Sequence, residues 1–236
     1  MMQNNKGIIA SMIIAVGLFL LGYCVRMGLQ NGLSDERYVT VRGLSERIVP
    51  ADKVVWPLVY KEVGNDLKQL ANQVNNKNKI IVDYLLSKGI TQNEISVSAP
   101  EIIDLQAERY VNQNVPFRYN LRSIITVSSQ QVELVRNLIN EQGELLDRGV
   151  AIVSGEYDTN IDYQFTGLNE LKPDMIAEAT RNARHAAEQF AQDSNSKLGK
   201  IKTASQGQFS ITNRDQYTPY LKNVRVVTSV VYYLKD

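Results

Sequence analysis

The chain has 236 residues, of which 44% are hydrophobic and 22% are charged, a composition typical of one large or two small globular domains. Its 6 prolines and 14 glycines exclude a collagen-like or low-complexity chain. One cysteine and one histidine exclude a disulfide scaffold and any metal site built from several thiolates or imidazoles. The 26 basic and 25 acidic residues leave a net charge of +1, so no long-range field attracts nucleic acid. We therefore predict no cofactor, no metal and no nucleic-acid partner.

The first apolar stretch is long enough to enter a membrane. From residue 7 to residue 25 the chain reads GIIASMIIAVGLFLLGYCV and carries no charged residue. A helix over Ile8–Val25 would be about 27 Å long, close to the ~30 Å hydrocarbon core of a bilayer. We predict a transmembrane signal-anchor over residues 7–26, a cytoplasmic amino terminus over 1–6 and a linker over 27–36. The protein is then a single-pass inner (cytoplasmic) membrane protein whose bulk faces the periplasm or exterior.

Two other fates of this leader stay open. A cleaved signal peptide has an apolar core of ~7–15 residues and a small-x-small site, whereas this core is longer and Leu21-Gly22-Tyr23 offers no such site. A lipidated cysteine would follow a small residue, but Tyr23 precedes Cys24. The uncleaved anchor is the interpretation that both observations favour.

The first half of the remaining chain alternates strand and helix patterns. Strands are predicted at 38–49 and 53–63, joined by a turn at Pro50-Ala51-Asp52. Apolar residues then recur at helical spacing over 66–88, and Gly89 is a natural C-cap. Further strands are predicted at 94–103 and 117–127. The link over 104–116 is long for a hairpin and is a candidate contact loop.

The second half repeats this order. A short helix is predicted over 130–142, ended by Gly143, and a strand over 149–165. A long helix is opened by Pro173 and closed by Gly199. Strands at 200–211 and 221–234 finish the chain. The inner stripe of the long helix is predicted to comprise Ile176, Ala179, Ala183, Ala186, Phe190 and Ala191.

The order strand, long helix, strand, strand thus occurs twice. We predict an α+β domain over residues 37–236, made of two βαββ-like units at about 37–128 and 129–236, in which antiparallel sheets are backed by long helices. The predicted domain follows one N-terminal transmembrane helix.

Three segments carry a resemblance to a known family. The segment VTVRGLSERIVPADKV (39–54) resembles the first hairpin of SIMPL-domain proteins, where a strand ending in glycine leads through a Pro-Asp-like turn. The segment AEATRNARHAAEQFAQDSNSKLGKIKTASQG (177–207) is similar to the signature helix of that family, which runs into a Leu-Gly pair and a strand. The segment VRVVTSVVYYL (224–234) resembles its terminal strand. The resemblance covers about Tyr38 to Leu234.

This resemblance implies a bacterial periplasmic or envelope-facing α+β protein, often membrane-linked and assembled into homo-oligomeric rings. It supplies no catalytic residue, because none is established for the family. It also implies a link of some bacterial relatives to oxidative-stress tolerance, which is a phenotype and not a mechanism.

Candidate interface residues come from the aromatic content and from the long link. Tyr110 and Val111 lie in the link, whereas Trp56 and Tyr232 lie on predicted strands. Tyrosine and tryptophan are common at subunit interfaces. Core or cross-strand packing is the default interpretation of the two strand residues, and a subunit interface is the other one.

Two polar clusters are weaker candidates for ligand sites. Arg181, Arg184 and His185 on the last long helix form an anion-site candidate, and pairing with neighbouring glutamates on a solvated face is the alternative. Asp158, Asn160 and Asp162 are spaced like the start of a calcium loop. The glycine and glutamate that such a loop needs at its sixth and twelfth positions are absent. The solvent-exposed face of a strand therefore explains these residues better.

From these observations we expect a non-enzymatic envelope protein with a membrane-anchored, exported head that forms a homo-oligomeric ring or scaffold. The alternative is a periplasmic binding or adaptor module that captures a peptide, protein or small ligand through residues 104–116. An enzyme is disfavoured, because the sequence contains no nucleophile–base motif and no metal-ligand set.

Overall fold

A computed structural model describes residues 4–32, 36–107, 116–156 and 159–236. It confirms the predicted α+β class, because the strands form two antiparallel sheets that pack with helices. The helices are α1 (Asn4–Gly32), α2 (Leu67–Ser87), α3 (Val132–Asn140), α4 (Gly143–Asp147) and α5 (Leu168–Asp193). The strands are β1 (Tyr38–Pro50), β2 (Lys53–Gly64), β3 (Ile95–Val97), β4 (Glu101–Asp104), β5 (Tyr119–Ser129), β6 (Asp162–Gln164), β7 (Lys197–Gln206), β8 (Ser210–Asn213) and β9 (Leu221–Lys235).

The helix α1 covers the apolar leader. Its described side chains, those of Met12 and residues 14–27, are all exposed. Among the described residues, no helix is long and apolar enough to cross a membrane. The transmembrane span over residues 7–26 therefore stays a prediction.

The first sheet, sheet A, has the strand order β1-β9-β7, with β8 also pairing with β9. The second, sheet B, has the order β3-β5-β2-β6, with β4 also pairing with β5. In sheet B, β2 and β5 pair along their full length, from Val54 opposite Ser129 to Gly64 opposite Tyr119. An isolated bridge between Val59 and Val153 adds a second contact to the outer side of β2.

The expectation that the first two strands form a hairpin is wrong. β1 and β2 follow one another through the turn at Ala51-Asp52, yet β1 pairs with β9 whereas β2 pairs with β5 and β6. The chain therefore leaves one sheet and enters the other at this turn. Sheet B contains the complete βαββ order β2, α2, β3/β4, β5, and sheet A takes its first strand from the beginning of the chain.

Close backbone contacts group the chain into two compact units. The minor unit comprises Met1–Arg42, Ala183–Ser205 and Ser229–Asp236, and the major unit comprises Gly43–Asn182 and Gln206–Thr228. The predicted division near residue 128 stays a prediction about domain organisation.

Each unit has its own core. The largest core in the major unit packs α2 and α3 on sheet B and includes Trp56, Leu58, Ile81, Leu85 and Ile125. A second core of the major unit joins Met175 and Ala179 of α5 to Val224 and Val226 of β9. The core of the minor unit comprises Val39, Val41, Ala183, Ala187, Val230 and Tyr232.

Two predicted strands are shorter than expected. The strand over 94–103 divides into β3 and β4, and Pro100, which cannot donate to a ladder, lies between them. The strand over 149–165 reduces to the bridge at Val153 and to β6, and two of its residues, 157 and 158, lie outside the described residues. The strand that remains, β6, pairs with β2 over only three residues, from Lys53 opposite Gln164 to Val55 opposite Asp162.

The helix ends also differ from the prediction. Gly143 begins α4 instead of ending the segment. Pro173 lies inside α5, which begins five residues earlier, and α5 ends at Asp193 instead of Gly199. Asn195 has a φ of 51° just after that end, so an asparagine takes the left-handed position that a glycine usually occupies.

The buried residues of α5 recur at every fourth position, which differs from the predicted inner stripe. Ala179, Ala183, Ala187 and Ala191 are buried, whereas Ala186 and Phe190 are exposed. Residues four apart lie on one helix face, and alanine lets the helix axis approach the sheet closely.

Candidate interaction surfaces

The outer strand β4 of sheet B is exposed and apolar on both faces. Ile102 lies opposite Leu121 and Ile103 lies opposite Asn120, so the two isoleucines point to opposite faces of the sheet. Their side chains are 52% and 39% exposed. An edge strand of this kind is a template for pairing with another chain.

The two acidic residues of β4 are paired with Arg118, directly before β5, and with Arg122 of β5. The guanidinium of Arg118 donates to both carboxylate oxygens of Asp104 at 2.9–3.2 Å, and these hydrogen bonds hold the pKa of Asp104 below its usual value. Arg122 lies 3.4 Å from the carboxylate of Glu101. Charges on an edge normally oppose association, and here they are compensated within the fold.

The neighbouring positions extend this apolar surface. Val63 of β2 and Ile103 of β4 both lie opposite Asn120, and both are exposed. The Oδ1 atom of Asn120 is buried and has no hydrogen-bond partner in the described part of the chain. Val97 of β3 and Phe117, just before β5, are also exposed. We call the side chains of Val63, Val97, Ile102, Ile103 and Phe117 the edge patch.

The link that was predicted as a contact loop begins and ends beside this patch. The backbone N–H of Leu105 donates to the carbonyl of Arg118 at 2.8 Å, and the N–H of Arg118 donates to Oδ1 of Asn65 at 2.8 Å. The candidate residues Tyr110 and Val111 lie outside the described residues. Both ends of the link are therefore held by ordered contacts.

The other two interface candidates lie in hydrophobic cores. Trp56 is 2% exposed and packs in the main core of the major unit. Tyr232 is 5% exposed and packs in the core of the minor unit. In this fold both side chains pack as core residues, which is the default interpretation for aromatic residues on strands.

The residues of the anion-site candidate are exposed on α5. Arg184 forms an ion pair with Glu188 at 2.8 Å, one helical turn away, as the solvated-face interpretation expects. Its hydrogen bond to this glutamate raises the pKa of Arg184. Arg181 and His185 are exposed on the same helix.

A shallow aromatic pocket of about 380 Å³ lies in the major unit. The guanidinium of Arg136 lies 3.6 Å from the ring centre of Tyr220, and Tyr163 meets Tyr220 edge to face at 6.2 Å between centroids. Burial raises the pKa of the Tyr163 hydroxyl. The aromatic rings of this pocket can stack on a flat group of a ligand, and the guanidinium of Arg136 can donate hydrogen bonds to it. Across the described residues, no three His, Cys, Asp or Glu side chains are grouped so that they could hold a metal ion.

Sequence reasoning missed the two isoleucines of β4. The adjacent pair Ile102-Ile103 was read as the end of one long strand. An informative signal was available, because two consecutive large apolar residues on a strand cannot both face the same core. Pro100 directly before this strand is a further sign of an edge.

These observations define an α+β protein with two helix-backed antiparallel sheets and an exposed apolar sheet edge. The model of the SIMPL family, described as a protein of unknown function (DUF541), matches residues 39–229. The chain therefore belongs to the SIMPL family, which confirms the resemblance found in its sequence. A search of curated proteins gives no match.

Proposed function

We propose that this SIMPL-family protein is a non-enzymatic envelope protein whose exported head is tethered to the membrane by α1 and assembles into a homo-oligomeric ring or scaffold. The observation that carries the proposal is the exposure of Ile102 and Ile103 on opposite faces of an outer strand. An identical strand can cover both side chains at once. Among the described residues β4 pairs with β5 alone, so the backbone groups on its other side can gain hydrogen bonds in the same step.

The chemistry of β4 suits a second copy of itself. In an antiparallel pair of β4 strands related by a two-fold axis, the residue at the axis lies opposite its own copy, so Ile103 can lie opposite Ile103 of the second copy and Ile102 opposite Asp104. The charges of Glu101 and Asp104 are compensated in each copy by Arg122 and Arg118. This register is self-complementary, as a two-fold interface requires.

The tether is supported by the composition and exposure of α1. The helix spans Asn4–Gly32, and its segment from residue 7 to 25 contains no charged residue. Each Ile, Val, Leu or Phe in such a segment favours insertion by about 0.3–0.6 kcal/mol. We expect the full chain to remain with membranes after alkaline carbonate extraction, and amino-terminal sequencing of that fraction to start at the initial residues. Release into the supernatant, or sequence starting beyond residue 26, would contradict the tether.

Assembly is tested with lysine substitutions in β4 of the full chain in detergent. We expect Ile102→Lys and Ile103→Lys each to reduce the mass measured by light scattering to that of one chain, because a buried lysine would lose its hydration. Ile211→Lys is the matched control. Ile211 is 38% exposed on β8, an outer strand of the same length in the other sheet. A wild-type protein that is monomeric at high micromolar concentration would refute the proposal.

A binding or adaptor module is the second candidate function, favoured by the ordered ends of the link over 104–116. The hydrogen bonds of Leu105 and Asn65 with Arg118 hold the two ends of that link in place next to the edge patch. We expect replacement of residues 106–115 by a Gly-Ser segment to abolish capture of an envelope partner while the oligomer persists. Loss of the oligomer instead would assign the link to the self-association interface.

A further inference from the structure

We propose that the end of the minor unit next to the tether contacts the anionic phospholipid headgroups of the membrane. The proposal rests on the tether that the proposed function includes. From residue 36 onward the head carries equal numbers of basic and acidic residues, but they are not evenly distributed. The minor unit has three more basic than acidic residues over 36–42, 183–205 and 229–236, and the major unit has three more acidic than basic.

The basic residues of the minor unit are only partly compensated. Three of its acids are already in ion pairs, namely Glu36 with Lys202, Glu188 with Arg184, and Asp236 with Arg37. Within the described part of the chain, no ion pair involves Lys197, Lys200 or Lys235. All three lysines are exposed near the start of β7 or the end of β9, and Lys197 and Lys200 point to opposite faces of the sheet because they lie three residues apart on β7. We call them the basic patch.

Contacts place the patch beside the point where the tether enters the head. Arg37 donates to Ser196, next to Lys197, and to Asp236, next to Lys235. The N–H of Leu234 donates to the carbonyl of Arg37 at 2.8 Å. Lys200 follows Gly199, whose α-carbon packs so closely on Tyr233 that an added Cβ would lie 2.8 Å from the carbonyl oxygen.

The length of the connection limits the distance of this patch from the end of α1. Five residues lead from Gly32, the last residue of α1, to Arg37. A chain of that length reaches at most about 18 Å. If α1 lies in the bilayer, this short connection allows the basic patch to come within the Debye length of about 8–10 Å over which anionic lipid attracts it.

The surroundings of the patch also suit a lipid surface. A shallow pocket of about 430 Å³ in this unit is lined by the apolar side chains of Leu198, Ile201 and Tyr232, with Lys200 and the Arg184–Glu188 ion pair beside them. The ammonium of Lys202 lies 4.9 Å from the ring centre of the exposed Tyr38. Tyrosines and lysines are both favoured at the boundary between headgroups and acyl chains.

The test uses the full chain in nanodiscs of phosphatidylcholine alone or of phosphatidylcholine mixed with phosphatidylglycerol. The rate at which an amine-reactive reagent acylates each lysine is measured by mass spectrometry. We expect acylation of Lys197, Lys200 and Lys235 to be about fivefold slower on the anionic discs, and this difference to disappear at high salt. Lys68 and Lys79, which are exposed in the major unit, should react equally on both discs.

Variants give a second measurement on the same discs. We expect the backbone amides of β7 to exchange hydrogen more slowly on the anionic discs than on the neutral discs. The triple substitution Lys197→Gln, Lys200→Gln and Lys235→Gln should abolish this difference. The matched triple substitution Lys68→Gln, Lys79→Gln and Arg148→Gln removes the same charge from exposed positions of the major unit and should leave that difference unchanged.

The outcomes separate this proposal from the proposed function. Incorporation into both discs with equal acylation of the patch would overturn the headgroup contact and leave the tether intact. Acylation of the patch that is equally slow on both discs, compared with Lys68 and Lys79, would assign the patch to a protein interface. That result would also overturn the headgroup contact. Failure of the chain to enter either disc would refute the tether itself.

Discussion

The carboxylate of Asp52 accepts a hydrogen bond from the backbone N–H of Gly167 at 2.8 Å, directly before α5 begins at Leu168. It also accepts from the N–H and the hydroxyl of Thr166. Asp52 thus caps a helix that lies 115 residues away in the sequence. The turn in which the chain leaves sheet A for sheet B is thereby joined to the start of α5.

We therefore expect Asp52→Ala to lower the free energy of unfolding by about 1–2 kcal/mol, because the N–H groups of Thr166 and Gly167, directly before α5, lose their acceptor. Urea unfolding of the full chain in detergent measures the change. Asp66→Ala is the matched comparison, since Asp66 caps α2 through a single bond to the N–H of Gln69. A smaller loss for Asp52→Ala than for Asp66→Ala would contradict this role.

Stability at high pH should depend on Tyr60. Its hydroxyl donates to the carbonyl of Val74 and lies 2.8 Å from Oδ1 of Asn78 in the core, and burial raises its pKa to about 12. The unfolded chain releases this proton near pH 10. The folded protein keeps the proton between these values, so the free energy of unfolding is retained below about pH 10 and falls as the pH rises toward about 12.

Tyr60→Phe removes this titration. We expect the stability advantage of wild type over Tyr60→Phe to shrink by about 1 kcal/mol between pH 9 and pH 11, as measured by urea unfolding at each pH. Leu70→Ala is the control, because it also removes core packing but no titrating group. An advantage over Tyr60→Phe that does not change with pH would show that the folded state does not hold this proton.

Close backbone packing should make Gly207 intolerant of a side chain. A Cβ at this position would lie 2.7 Å from the carbonyl oxygen of Val227, which also accepts the N–H of Gly207 at 2.8 Å. We expect Gly207→Ala to destabilise the fold by about 1–3 kcal/mol in urea unfolding. Gly143→Ala meets no atom within 4 Å and should leave stability unchanged or slightly raised. Equal effects of the two substitutions would argue against this close approach.

The alanine stripe of α5 should be equally sensitive to added volume. Ala183 is fully buried against Val39, Val41 and Val230, whereas Ala186 is exposed on the same helix. We expect Ala183→Leu to lower the thermal midpoint and to cost about 1–3 kcal/mol, because the helix must move away from the sheet. Ala186→Leu should have little effect. A comparable loss in both variants would indicate a general effect of leucine on α5.

Most element positions followed from local patterns. The alternation in 38–49 and 53–63 and the helical spacing over 66–88 predicted β1, β2 and α2 to within one or two residues. Asp66 caps α2 as its position before the apolar repeat suggests. Local prediction was weaker for α5, whose propensity continues past Pro173 in both directions, so that a proline in its first turns did not mark its start.

The candidate surfaces were less predictable. The apolar content of β4 was visible in the sequence, but its position at a sheet edge depends on which strands pair beyond it. Trp56 and Tyr232 have the composition of interface residues, yet both lie in cores, because aromatic side chains serve core and interface equally well. The basic patch could not be found from net charge, since the acids that balance it belong to the other unit.

The sequence by itself determined the apolar amino-terminal stretch, the α+β class, the positions of β1, β2 and α2, and the family, because each of these depends on periodicity and residue type along short segments. Only the tertiary structure decided that β1 pairs with β9 and not with β2, and that Asp52 caps α5. Pairing between strands nearly two hundred residues apart is set by which faces bury together. That choice leaves no local pattern in either strand.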